Sequence, residues 1–78
     1  MNRINIMCMD IEAQIKVARK DVENIKSSML RTLNGDDLTR MYNVQSITVD
    51  AQRLAEAARR VYELQERLTM LNILKGEE

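Results

Sequence analysis

The 78-residue chain has no histidine, proline, tryptophan or phenylalanine, one cysteine and two glycines. Each absence excludes something. Without histidine there is no side chain whose ordinary pKa suits a general base near neutral pH, and the commonest transition-metal ligand is missing. One thiol cannot close an internal disulfide, and no secretory signal pattern precedes it, so the expected setting is a reducing cytoplasm. No apolar run approaches the roughly 20 residues that a membrane helix needs. Twelve basic residues balance twelve acidic ones. The signs alternate along the chain, leaving no strong field to attract nucleic acid or an anionic membrane.

No glycine-rich phosphate loop or Cys and His cluster is present, and Asp36-Asp37 lacks the ligand spacing of a calcium loop. These features predict no enzymatic activity, no catalytic residues, no cofactor and no metal site. With zero proline, two tyrosines as the only aromatics, and 45% hydrophobic residues, the composition favours helices over a sheet.

Ile4, Cys8, Ile11, Ile15, Ala18, Val22, Ile25 and Met29 alternate steps of four and three residues, the seam of a helix built to lie against another helix. A second stripe runs through Val44, Ile47, Ala51, Leu54, Ala58, Val61, then Leu64 or Gln65, Leu68 and Leu71. Between them, Asn34-Gly35-Asp36-Asp37 combines a glycine suited to a left-handed helix end with aspartates able to cap the next helix. The predicted fold is therefore all-α. It is an antiparallel, coiled-coil-like hairpin occupying residues 1–78 as one domain, standing alone or within a larger helical assembly. Helix 1 is expected over about 4–33, the turn over 34–36 and helix 2 over about 37–74, each arm spanning roughly 45 Å or slightly more.

Ser46-Ile47-Thr48-Val49 lowers helix propensity locally, but the apolar spacing keeps its phase, so helix 2 is expected to continue through it. Glu12 with Lys16, Arg19 with Glu23, Asp36 with Arg40, Glu56 with Arg60, and Glu63 with Arg67 have the spacing of exposed ion pairs. Cys8, on the seam, reads as a small apolar filler rather than a redox sensor. Alanines 51, 55, 57 and 58 leave little bulk at the middle of helix 2 and would let a neighbouring helix approach closely.

A chain this short buries only about 60% of its unfolded surface. Its stability as a lone hairpin is marginal, and a protein partner is the economical remedy. Helix 2 carries apolar residues that the first seam does not cover. Leu38, Tyr42, Val49, Tyr62 and Leu64 are the candidate partner-binding residues, tyrosine being favoured where one end is buried and the other wet. A charged residue at Tyr62 or Leu64 is expected to abolish the complex.

The layout resembles the small E-type co-chaperones of bacterial type III secretion systems. The resemblance rests on Ser28-Met29-Leu30-Arg31 at the end of the first arm, the hinge Asn34-Gly35-Asp36, Tyr42 followed by Gln45, and Ala51-Gln52-Arg53-Leu54. It covers residues 10 to 70; helix 2 is longer than is usual there, and the segment through Met9 is an extension. Needle subunits of the same apparatus resemble this chain less, because their turn usually contains proline. The resemblance implies a cytoplasmic complex in which the chain helps a larger helical-repeat chaperone keep the needle subunit monomeric. The alternative is a homodimeric four-helix bundle with a structural or regulatory role, such as a phage-type inhibitor or an RNA-binding hairpin.

Overall fold

A computed structural model describes residues 2–35 and 37–77. Two helices, α1 (Arg3–Gly35) and α2 (Met41–Gly76), pack along each other in a rod of 58 × 15 × 13 Å, and no strand occurs among the described residues. They run antiparallel: Cys8 lies across from Asn72, Sγ to Oδ1 3.8 Å, and Ser28 across from Asp50, Oγ to Oδ2 3.4 Å. The all-α hairpin expected from the apolar spacing is what the chain forms.

α1 begins at Arg3 because Asn2 caps it, its Oδ1 accepting the Ile4 N–H at 2.6 Å. Every residue of the predicted α1 stripe from Ile4 to Met29 is buried or half-buried. On α2 the stripe needs correction. Val44, Ala51 and Ala58 are exposed, and the positions one residue earlier, Asn43, Asp50 and Ala57, turn toward α1 instead. The contact line therefore runs Ile47, Asp50, Leu54, Ala57, Val61, Leu64, Leu68, Leu71, an unbroken alternation of three and four. Only at Ala57 and Ala58 are both candidate registers apolar; at the other two positions the seam takes Asn43 and Asp50 and leaves the apolar Val44 and Ala51 outside.

Buried side chains gather toward the open end of the hairpin. Ile15, Ala18 and Leu64 form the core, with Ile11, Val61 and Leu68 against it. Cys8 is also buried, as the filler role requires, its thiol donating toward Asn72.

The connection differs from expectation. Gly35 is the last residue of α1, and no described glycine has a positive φ, so the left-handed helix end predicted there does not form. Asp36 lies outside the described residues. Asp37 spends its carboxylate on a local turn, Oδ1 accepting from the Thr39 N–H at 2.9 Å and the Thr39 hydroxyl at 2.7 Å. Its carbonyl accepts from Asn43 Nδ2 at 2.7 Å and from the Arg40 N–H at 3.3 Å. Held in this way, the chain starts α2 at Met41 rather than near residue 37, and Leu38 stands in the connection rather than on the helix. α2 then continues unbroken through Ser46–Val49, with Thr48 Oγ1 donating to the Val44 carbonyl at 3.0 Å.

The ion pairs also differ from those predicted. Among the described residues, Arg40–Asp37 and Arg53–Asp50 approach to 4.0 Å. The i,i+4 pairs expected on the outer faces do not close within that distance; with Asp36 undescribed, its pairing with Arg40 falls outside the structure. Exposed ion pairs of this kind contribute little beyond the entropy of ordering two long side chains.

Candidate protein-binding surface

Two edges flank the contact line between the helices, and they differ in chemistry. Along the first, Arg53, Arg60 and Arg67 of α2 recur every seven residues. Four open grooves follow this edge. One of about 360 Å³ is lined by Tyr42, Gln45, Ser46, Val49, Asp50 and Arg53. The next two, about 490 and 250 Å³, share Asp21 and Arg60. A fourth of about 330 Å³ lies near the open end between Met7, Ile11, Met70 and Leu71, with Glu66 and Arg67 at its sides. The arginine row was missed in the sequence reading; its seven-residue spacing was the available signal.

The second edge is formed by Met41, Val44, Thr48, Ala51, Ala55, Ala58, Tyr62, Gln65 and Thr69 of α2. It contains no charged residue. Except for the half-buried Gln65, all are exposed. Ala58 helps line a groove of about 430 Å³ with Arg19, Val22, Glu23 and Val61, none of which touches the four grooves of the first edge.

The predicted binding residues divide among these surroundings. Tyr42 and Val49 lie together on the first edge, Tyr42 being 79% exposed. Tyr62, 63% exposed, lies roughly 140° around the helix from Val49 at about 3.6 residues per turn and falls on the second edge. Leu38 is exposed in the connection. Leu64 does not belong with them. At 3% exposure it is core, so a charge there removes the fold before it can report on a partner.

In the turn, the Thr39 hydroxyl and then the Thr39 N–H hold the Asp37 carboxyl below its ordinary range. Among the described residues, no three His, Cys, Asp or Glu side chains gather as metal ligands would, and no helix is long and apolar enough to cross a membrane. Comparison with known protein families, curated proteins and solved structures finds no match.

The area left open is large for the chain. A compact monomer of 9.1 kDa exposes about 4,900 Å². This hairpin exposes 6219 Å², about 1,300 Å² above that expectation. Met41, Val44, Val49, Tyr42, Tyr62, Leu30 and Leu33 are all among its exposed large apolar side chains.

Proposed function

We infer that this chain is a protein-binding module with no reaction of its own, whose work is to complete a larger helical assembly. The observation that carries the reading is the set of exposed large apolar side chains on a hairpin whose own seam buries only Cys8, Ile15, Ala18 and Leu64 among the described residues. A contiguous apolar surface rimmed by charges is what a helical partner covers, and covering it offsets the ordering cost of a short chain. On the first edge, Tyr42 and Val49 beside Arg53 supply an aromatic anchor, an aliphatic contact and a guanidinium in one groove.

The resemblance to E-type co-chaperones narrows this reading. In that role the chain acts in the cytoplasm beside a helical-repeat chaperone, and together they keep an export needle subunit monomeric. Such a subunit polymerises through an apolar helix face, and sheltering that face prevents premature fibres. Co-expression of the chain with a repeat-type chaperone and a needle subunit should yield a ternary complex, and Tyr42→Glu should weaken retention about tenfold, or ~1.4 kcal/mol. A chaperone and needle pair that forms equally well without the chain would defeat the co-chaperone role.

A further inference from the structure

The uncharged edge of α2 is the surface that the hairpin seam leaves unused. From Met41 through Val44, Thr48, Ala51, Ala55 and Ala58 to Tyr62 its residues keep the alternating spacing of a helix-packing seam. It adjoins the first seam, since Val44, Ala51 and Ala58 each follow directly on a residue that faces α1. Both threonine hydroxyls on it are already used, Thr48 Oγ1 donating to the Val44 carbonyl and Thr69 Oγ1 to the Gln65 carbonyl, each at 3.0 Å. Apolar atoms can therefore cover the edge without stranding either hydroxyl.

We propose that this edge is the contact between two copies of the chain. α2 of one copy packs antiparallel on α2 of the other, about a two-fold axis close to Ala55, and the pair of hairpins forms a four-helix bundle. The proposal rests on the chain being a protein-binding module and names the occupant of one of its two edges.

Three properties select a second copy as that occupant. The first is self-complementarity, which an isologous contact demands. Antiparallel pairing about Ala55 sets Tyr62 over Thr48 and Met41 over Thr69, large on small at each end, with alanine at the centre where helices can close to about 8 Å. A parallel pairing would oppose Tyr62 to Tyr62 and Met41 to Met41.

The second property is charge. A two-fold axis brings any charge near it against its own copy, which repels; the nine α2 residues of this edge are uncharged, and Arg19 and Glu23 of α1, which flank it at Ala58, are of opposite sign. The first edge fails that condition, with Arg53, Arg60 and Arg67 in a row.

The third property is area. The hairpin as a whole exposes about 1,300 Å² more than a compact monomer, enough for one contact at the lower end of the roughly 1,000–2,500 Å² that each copy contributes to an obligate dimer.

Light scattering of the full chain under reducing conditions should give twice the 9.1 kDa chain mass. Ala55→Glu puts two carboxylates across the axis and should raise the dimer dissociation constant at least a hundredfold while helicity persists. Val17→Glu, on an exposed face of α1, should leave the dimer intact. Because Ala55→Glu could also affect folding, a second variant is read separately. Ala55→Cys in a Cys8→Ser background should form a disulfide-linked dimer on mild oxidation, since a residue at the axis meets its own copy; Tyr42→Cys in that background should not.

A wild-type chain that stays monomeric across all concentrations overturns the proposal, as does a dimer whose Ala55→Cys form fails to cross-link. Either result leaves binding of a different protein standing. Conversely, an intact Ala55-dependent dimer that captures no chaperone removes the co-chaperone role and keeps the dimer.

Discussion

The two halves of the hairpin use the same seam geometry with different residues. Toward the open end, Ile11, Ile15 and Ala18 meet Val61, Leu64 and Leu68, and Ile15, Ala18 and Leu64 are buried at the centre. Toward the turn, Ser28 and Thr32 share the seam with Asn43, Ser46 and Asp50, and no described residue there is fully buried. Alternating spacing brings side chains to a contact line, and only apolar side chains then close it. Asp50, with 13% of its side chain exposed, holds the line partly open because its carboxylate keeps Ser28 and Arg53 as neighbours. Such a layer fixes register through its pairing at some cost in stability, as a buried polar group does in other helix pairs.

The most severe way to break this contrast is Leu64→Glu, which should abolish the cooperative thermal transition and most of the helical circular dichroism. Leu64→Ala should cost about 2–5 kcal/mol, and Leu54→Ala in the half-open seam clearly less. Equal costs in urea titrations would mean that the halves do not differ in packing. Asp50→Leu should sharpen the comparison from the other side. Filling the polar layer should add about 1–2 kcal/mol and slow amide hydrogen exchange in residues 21–35 and 41–57, which in the parent chain should exchange faster than the open half. Unchanged exchange there would separate the polar layer from the local stability.

A smaller effect is expected at Asn5, whose buried Oδ1 has no hydrogen-bond partner. Asn5→Leu removes that unsatisfied acceptor and should stabilise the open half by about 1 kcal/mol, seen as a raised thermal midpoint; a lowered one would point to a polar role for the amide. The smallest effect belongs to the turn. Asp37 is held below its ordinary pKa by Thr39, so its contribution is present above the usual aspartate range and lost as pH falls through the depressed value. Asp37→Asn should flatten the acid limb of the stability profile below about pH 5, and an unchanged limb would assign it to other carboxylates.

How much was legible depended on the width of each apolar stripe. On α1 the stripe takes one apolar residue per turn, and Ile4, Ile11, Ile15, Val22 and Ile25 have polar or charged residues on both sides, so the Ile4 to Met29 line was well determined. On α2, Ala57 and Ala58 are adjacent, and Val44 and Ala51 are apolar neighbours of Asn43 and Asp50. Preferring apolar residues there selected the exposed side and placed a polar pair of the true seam outside it. The same ambiguity put Leu64 among the binding residues, since apolar character alone does not separate a core leucine from a docking one. Tyr42, Val49 and Tyr62 were legible as exposed surplus, but their distribution over two edges required the position of α1.

The sequence by itself determined the helical class, the antiparallel hairpin and the seam of α1, because those follow from composition, period and the length of chain on either side of a short connection. Tertiary structure decided which edge of the α2 stripe faces α1, where the connection hands over to α2, and which apolar residues remain uncovered. The reason is physical. Periodicity records how side chains are arranged around one helix axis, whereas burial is fixed by the position of a second helix, which here accommodates Asp50 and Asn43 in the seam and leaves Val44, Ala51 and Ala58 outside it.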